Sequence, residues 1–400
     1  MMKTGENAKS AKKATKKPGK SALNKRVLVA LSGGIDSAVS AYKLIQQGYQ
    51  VEAAFMKNWS STNGLKYDEC PWLIDRQDAL RVAAFLGIPM HTLNFEKEYE
   101  KNVMGYFFNE YKAGRTPNPD VMCNKEIKFK MLYKWAMKNG FDYMATGHYA
   151  QVAQVKKNKN KTGETYNLIR SSDDFKDQTY FIYNILQSQL PHLLFPTGGM
   201  KKSAVKTLAK SIGLPNATKK ESMGLCFVGQ IRLKDFLEQK LKPKTGAIVK
   251  INLQGKQEKI GEHQGLSYYT VGQRQGIRVG QNGPWFVVRK DLKTNRLVVT
   301  NNPADPALET KQIEIHSVNW INQPEGLDSN FVKSVKPVKL LGRYRHQGSL
   351  EKLTITEIAN KGAVRGHYLI NFDKPQKAIA SGQSLVLYDG KICLGGGVIV

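Results

Sequence analysis

One junction near the start of the chain constrains its fold more than any other feature. Five apolar residues, Val27-Leu28-Val29-Ala30-Leu31, run directly into Ser32-Gly33-Gly34-Ile35-Asp36-Ser37, and a helical pattern follows. A short unbroken apolar run is the pattern of a strand buried on both faces, as in a parallel sheet. From Ser37 to Gln47 the apolar Ala38, Ala41, Leu44 and Ile45 share one helical side, and Gly48 supplies a stop. Two glycines at a strand-to-helix turn let backbone N–H groups approach an anion, and the helix N-terminus adds its positive dipole end. A tight turn alone would leave Ser32, Asp36 and Ser37 unexplained. The string is therefore a candidate phosphate loop. It lacks the lysine of the Walker loop, so it is not read as a site of γ-phosphate transfer.

The same alternation continues. Residues 51–56 read as a strand, 76–86 as a helix stopped by Gly87, 89–95 as a strand and 143–146 as another. Strands alternating with helices at this spacing predict βαβ units and an α/β fold with a doubly wound parallel sheet. After Gly229 one helix remains, over 233–241. Short strand patterns with glycine turns follow at 247–251, 285–289 and 297–300. Residues 301–306 read as a linker. Beyond them, strand patterns at 313–319, 335–341, 353–358, 367–371 and 384–388 predict a small C-terminal antiparallel β-barrel. The expected division is a disordered basic arm over 1–25, a catalytic unit over 26–229, a central β-rich unit over 230–304 and the barrel over 305–400.

The chain has 61 Lys+Arg against 33 Asp+Glu, a formal net charge of +28. Residues 1–26 hold nine basic side chains against Glu6, which leaves +20 for the rest. A basic body of that size implies a polyanionic partner, because neutralising phosphates releases condensed counterions. No apolar run is long enough to span a bilayer, and no apolar segment of a signal peptide follows the basic start, so a soluble intracellular protein is expected. The four cysteines, Cys70, Cys123, Cys226 and Cys393, form no C-x-x-C pair, and no protein-ligated metal site is expected.

Two cysteines lie in segments with chemical character. In Gly114-Arg115-Thr116-Pro117-Asn118-Pro119-Asp120-Val121-Met122-Cys123-Asn124, the prolines argue against helix and place Cys123 just after a stiff loop, with Asp120 as a group to move a proton. In Lys219-Lys220-Glu221-Ser222-Met223-Gly224-Leu225-Cys226-Phe227-Val228-Gly229, the two lysines would favour a thiolate and the glycines would free the loop to present it. Taken singly, each cysteine reads more readily as packing.

Taken together, the phosphate loop resembles that of the ATP pyrophosphatases (the PP-loop superfamily). With a cysteine after N-P-D and another in E-S-M-G-x-C-F, the chain resembles the tRNA-specific 2-thiouridylases, the wobble-uridine thiolating enzymes of bacteria and mitochondria. The resemblance runs from about Arg26 through Phe55-Met56-Lys57-Asn58-Trp59, Ala145-Thr146-Gly147-His148-Tyr149, Phe175-Lys176-Asp177-Gln178-Thr179-Tyr180, Gly265-Leu266-Ser267-Tyr268-Tyr269-Thr270-Val271-Gly272-Gln273-Arg274 and Arg343-Tyr344-Arg345-His346. It implies an ATP-dependent sulfurtransferase. Ala30, Leu31, Ser32, Gly33, Gly34, Ile35, Asp36 and Ser37 would hold the ATP phosphates, with Mg2+ expected alongside, and Met56 and Gly147 would lie near adenine and ribose. Cys226 would take a persulfide sulfur from a donor protein, and Cys123 would be the second catalytic thiol. Asn118, Pro119 and Asp120 would meet the target base. His148, Lys176, Asp177, Gln178, Arg343, Tyr344 and Gln383 match tRNA-contact positions, the partner being the anticodon stem-loop.

The implied compartment is the bacterial cytoplasm, with the mitochondrial matrix as the alternative. The arm of residues 1–25 and the insert at 63–72 with Cys70 depart from the family pattern, and Cys393 reads as packing. The loop at 219–229 is expected to move between open and closed forms. Two rivals stand beside this reading: an amidating or lysidine-forming enzyme on the same loop, and a non-catalytic RNA-binding protein.

Overall fold

The apolar run forms β1 (Arg26–Ala30), and its side chains alternate between two cores. Val27 and Val29 pack with Ala41 and Leu44, while Leu28 and Ala30 join the cluster on the opposite face. The structure, a computed structural model, describes residues 24–60, 71–155, 164–220, 233–238, 240–242, 244–251, 256–277, 279, 283–327, 337–358 and 366–400. β1 pairs in parallel with β2 (Gln50–Lys57) on one side and with β4 (Tyr143–Ala145) on the other. β3 (Met90–Asn94) extends the sheet beyond β2 and β7 (Leu193–Leu194) beyond β4, giving an all-parallel order β3-β2-β1-β4-β7.

Helices cover both faces, as the strand–helix alternation predicts. On one face Ile35–Gln46, Pro71–Leu86 and Lys202–Ser211 pack through Ile35, Ala38, Val39, Ala79, Val82, Val205 and Ala209. On the other lie Tyr99, Phe107, Tyr111, Val121, Cys123, Ile127 and Leu132, all buried. Each such side chain contributes roughly 1.5–3 kcal/mol on removal from water.

One local expectation is corrected here. Pro117 and Pro119 do not keep the segment around Cys123 out of a helix, because a helix begins at Pro119 and runs Pro119–Cys123. Asn118 is its N-cap, with Oδ1 accepting from the Val121 N–H at 3.2 Å. A proline at the first helical position has no intrahelical N–H to lose, so it starts a helix as readily as it stops one. Helical backbone continues through wide turns at Asn124–Leu132 and then Tyr133–Lys138.

The central unit is a four-stranded sheet of β8 (Gly246–Ile251), β9 (Gln257–His263), β10 (Phe286–Asp291) and β11 (Arg296–Thr300), ordered β10-β11-β8-β9. Its core is Ile248, Leu266, Tyr269, Trp285, Val287, Leu297 and Val299. The C-terminal unit is a barrel of β12 (Glu309–Trp320), β13 (Val338–Arg343), β14 (Glu351–Glu357), β15 (Tyr368–Lys377), β16 (Ser384–Asp389) and β17 (Ile392–Ile399). The order β12-β15-β14-β13-β16-β17 closes through antiparallel pairing of β17 with β12.

A hairpin from the first unit adds itself to this barrel. β5 (Ala150–Gln154) pairs with β6 (Tyr166–Arg170), and β6 pairs with β17 through Leu168–Cys393 and Ile169–Ile392. Cys393 is fully buried at that seam, in agreement with its reading as packing. Burial pushes its thiol far above the ordinary cysteine range, which suits an inert core residue. No described helix is long and apolar enough to cross a membrane.

Candidate active site

The turn after β1 is held by its own residues. Ser37 Oγ donates to the Gly34 carbonyl at 3.0 Å and accepts from the Ser32 N–H at 3.3 Å, and the Gly34 N–H reaches Ser32 Oγ at 3.4 Å. Asn216 Nδ2 fixes the Gly33 carbonyl at 2.9 Å. Gly33 has φ +76°, and a Cβ there would lie 2.4 Å from the Asp75 carbonyl oxygen, so only glycine fits. Gly34, the N-cap of Ile35–Gln46, brings no side chain to cap the first turn. The leading N–H groups of that helix are thus left facing the mouth of the turn, the arrangement that binds anions. Gly147 lies flat against it: a Cβ on Gly147 would come within 2.6 Å of the Ser37 nitrogen.

Asp36 would oppose an incoming anion were its charge uncompensated. Lys202, 8% exposed, donates to both carboxylate oxygens at 2.7 Å, and Tyr149 Oη–H donates to Oδ1 at 2.8 Å. Lys202 is positioned by its own backbone N–H, which bonds Asp173 Oδ2 at 2.9 Å. Behind the turn His148 is buried beside Phe129 and Phe195, with Nδ1 2.7 Å from Thr146 Oγ1. Burial, and then the charge of Lys128, pushes its imidazole well below the ordinary value, so the ring is neutral at pH 7.

Met56 is buried in the core that also contains Ala30 and Cys123. Two residues on, at the end of β2, Asn58 is 1% exposed and neither its Oδ1 nor its Nδ2 has a hydrogen-bond partner. A buried amide with both ends unsatisfied, at the carboxyl end of a parallel strand, fits a site that takes a polar ligand.

Lys219 opens the segment that carries Cys226 in the sequence. Its ammonium donates to Asp75 Oδ1 at 2.7 Å and Asp78 Oδ2 at 2.6 Å, on the helix whose Asp75 carbonyl abuts Gly33. Burial lowers its pKa, but the bonds and charges of Asp75 and Asp78 outweigh that and raise it. These bonds anchor Lys219 beside the turn, while its reading as a group that favours a thiolate concerns Cys226 in the loop at 221–229, which lies outside the described residues. Cys226 lies outside the described residues, as do Cys70 and residues 1–23.

The Cys123 segment is gripped by all three units. Gln383 Nε2 donates to the Thr116 carbonyl at 2.8 Å and the Pro117 carbonyl at 3.2 Å, and the Thr116 N–H reaches the Ser381 carbonyl at 2.8 Å. Thr116 Oγ1 lies 3.2 Å from Thr270 Oγ1 of the central unit. Cys123 itself is fully buried, with Asp120 half-buried one turn earlier.

The remaining candidate positions gather at the seam with the barrel. Asp177 and Arg343 face one another at 2.8 Å, both nearly sealed from solvent. Asp177 also accepts from Thr179 Oγ1 at 2.9 Å and the Ser171 N–H at 3.1 Å. Gln178 Oε1 accepts from the Tyr149 N–H at 3.0 Å, linking the seam back to Asp36. Lys176 and Tyr344 remain half-exposed. The sequence reading missed Lys202, Tyr149 and Asn58 as site residues. The last two sit inside quoted motifs, whereas Lys202 reaches Asp36 across 166 residues with no local signal.

Comparison with known proteins matches this architecture in three successive blocks. They are a tRNA methyl transferase HUP domain over residues 25–230, a tRNA methyl transferase PRC-barrel domain over 234–301 and an aminomethyltransferase beta-barrel domain over 310–399. The tRNA-specific 2-thiouridylase MnmA of Acinetobacter baumannii (strain SDF) is 43% identical, covering 94% of this chain and 97% of its own length. The chain belongs to the tRNA-specific 2-thiouridylase family. Members so named in Alkaliphilus oremlandii and in Marinomonas sp. are 44% and 42% identical, each over 94% of this chain and over 96% and 91% of their own. As a 2-thiouridylase family member the chain is an enzyme, a sulfurtransferase, with a HUP α/β unit, a PRC-barrel-like centre and a closed antiparallel barrel.

Proposed function

We propose that this chain makes 2-thiouridine at the wobble position of tRNA at the expense of ATP. Residues 26–229 form the catalytic unit, with 230–304 and 305–400 as the central and barrel units. The observation that carries the reading is the uncapped, glycine-built turn at Ser32–Ser37, in a chain 43% identical to a tRNA-specific 2-thiouridylase. The turn and the leading N–H groups of Ile35–Gln46 would hold the ATP phosphates, with Mg2+ among them. Met56, Asn58 and Gly147 line the adenosine side.

The C2 oxygen of uridine is amide-like and leaves poorly. Its attack on the α-phosphate expels pyrophosphate and turns it into part of a good leaving group, AMP. A sulfur carried as a persulfide on Cys226, loaded by a donor protein, then replaces it at C2. In one route Cys123 attacks the Cys226 sulfur and releases hydrosulfide, which adds to C2. In the other the persulfide adds to C2 directly, and Cys123 then breaks the S–S bond to release the thiolated base. Both routes end in a Cys123–Cys226 disulfide that an external thiol must reduce, and both require the two Cα atoms to approach within about 7 Å. Asp120, one turn from Cys123, moves the proton. Asn118 and Pro119, fixed by the cap and by Gln383, present the edge on which the flipped base rests, at an unstacking cost of a few kcal/mol.

The test is mass spectrometry of the anticodon nucleosides after incubation with tRNA, ATP, a persulfide-carrying donor protein and an external thiol. Exchange of one oxygen for sulfur at the wobble uridine is expected, with AMP and pyrophosphate formed. The methyl transfer named in the matching domain descriptions would instead add one methyl group, and that result would overturn the reading. Cys123→Ser and Cys226→Ser should each abolish sulfur gain, while Cys393→Ser should retain it.

A further inference from the structure

The turn over residues 171–178 carries an aromatic ring out into solvent. Phe175 is 64% exposed, more than any other large apolar side chain among the described residues. A single exposed ring proves little in isolation; its setting is what distinguishes this one.

The turn beneath it is stiff. The Ser171 N–H bonds Asp177 Oδ1 at 3.1 Å, the Asp173 N–H bonds Ser171 Oγ at 3.1 Å, and the Lys176 N–H bonds Asp173 Oδ1 at 3.2 Å. Asp177 is locked in turn by Arg343. From the barrel side Gln347 Nε2 reaches the Phe175 carbonyl at 3.5 Å. The ring is thus held out on a fixed support, so little ordering entropy remains to be lost when something stacks on it.

Cations and rings alternate around it. Lys176 Nζ lies 5.8 Å from the Phe175 centroid, the Arg345 guanidinium lies 5.0 Å from the Tyr344 ring, and His346 packs 4.5 Å from Phe181. Of the neighbouring carboxylates, Asp174 pairs with Arg170 at 2.7 Å while staying 80% exposed, and Asp173 accepts from the backbone of Lys176 and Lys202. An exposed ring beside cations and half-exposed rings, on a body of strong positive charge, is the chemistry that binds unpaired nucleic acid.

We propose that Phe175 is a stacking platform for an unpaired base of the tRNA anticodon loop, with Lys176 and Arg345 meeting the flanking phosphates. This rests on the tRNA reading above and adds to it a contact that discriminates single-stranded from paired RNA. The occupant is RNA in preference to a donor protein, because Lys176 lies beside the ring on a body of strong positive charge, and the adjacent Asp174 and Asp177 each carry an arginine counter-charge.

The test uses the full chain with Phe175→Ala, Phe175→Leu and Phe175→Trp, and reads affinity for an anticodon stem-loop RNA by fluorescence anisotropy at fixed salt. Loss of one stacked base weakens binding roughly five- to hundredfold, so that is expected of Ala and Leu, while Trp matches or exceeds the native residue. The salt slope should stay unchanged, since no charge is altered. Thermal midpoints should match the native chain, because the ring is exposed. Affinity within twofold for Phe175→Ala, or full binding by Phe175→Leu, overturns the proposal. So does intact RNA binding with selective loss of sulfur transfer from a persulfide-carrying protein. A native chain that binds the RNA through Phe175 but adds no sulfur would defeat the thiolation reading and leave this one standing.

Discussion

Two carboxylates in this molecule are each held by basic side chains and a hydroxyl, at opposite ends of one network. Asp36, in the mouth of the Ser32–Ser37 turn, is gripped by Lys202 and Tyr149 and keeps 31% of its side chain exposed. Asp177, at the seam with the barrel, is gripped by Arg343 and Thr179, with Arg170 farther off at 3.4 Å, and none of its side chain is exposed. The difference lies in water, not in the bonding groups. A sealed pair is committed, because removing either partner strands a charge in a medium that cannot solvate it. The mouth pair is exchangeable from one side, because Lys202 is buried but the Asp36 carboxylate reaches solvent that can solvate it when the partner is lost. The seam clamp therefore holds units together, and the mouth clamp tunes a binding site.

The sharpest way to break this contrast is Arg343→Met. It leaves Asp177 charged and buried, and should lower the unfolding free energy by about 3–5 kcal/mol in chemical denaturation; a loss under about 1 kcal/mol would erase the distinction. Next comes Gly33→Ala, which forces a side chain into positive φ against the Asp75 carbonyl. It should cost about 1–3 kcal/mol and, by moving the turn, should lower tRNA-dependent AMP release at least tenfold. Lys202→Met should cost about 1 kcal/mol or less in stability yet reduce AMP release comparably, since the carboxylate of Asp36 then faces the phosphates without its counter-charge. If that variant unfolds as readily as Arg343→Met, the two clamps are alike and the comparison fails.

The smallest effect concerns pH. Burial keeps the folded His148 imidazole neutral, whereas the unfolded chain takes a proton below about pH 6.5. The unfolded state then binds more protons, so stability falls as pH drops through that value. His148→Gln should lose less stability than the native chain between pH 7 and pH 5, and equal losses would show that His148 is not the group responsible.

The parallel sheet was legible because its signals are local: an apolar run, a glycine turn and a helical period within twenty-odd residues. The hairpin β5–β6 was not, since its two strands are short and mixed in polarity and join a larger sheet only through the pairing of β6 with β17. The start at Pro119 was misread because proline's effect depends on its position, first turn or interior, which a cap at Asn118 decides. The phosphate turn and the Cys123 segment were visible as strings. Lys202 was not, because a lysine at the start of a basic amphipathic helix looks like any solvated charge until the fold brings it to Asp36.

The seam between β6 and β17 also bears on how the molecule is made. Residues 168 and 169 hydrogen-bond with residues 393 and 392, so a hairpin emerging early from the ribosome waits for a strand translated much later. Until then an otherwise finished nucleotide unit carries an open strand edge, the kind of surface that recruits chaperones or mispairs with a neighbouring nascent chain. Translation stalled short of residue 392 would yield a protein able to assemble its phosphate turn yet prone to aggregate, with the barrel serving as the cap that completes its maturation.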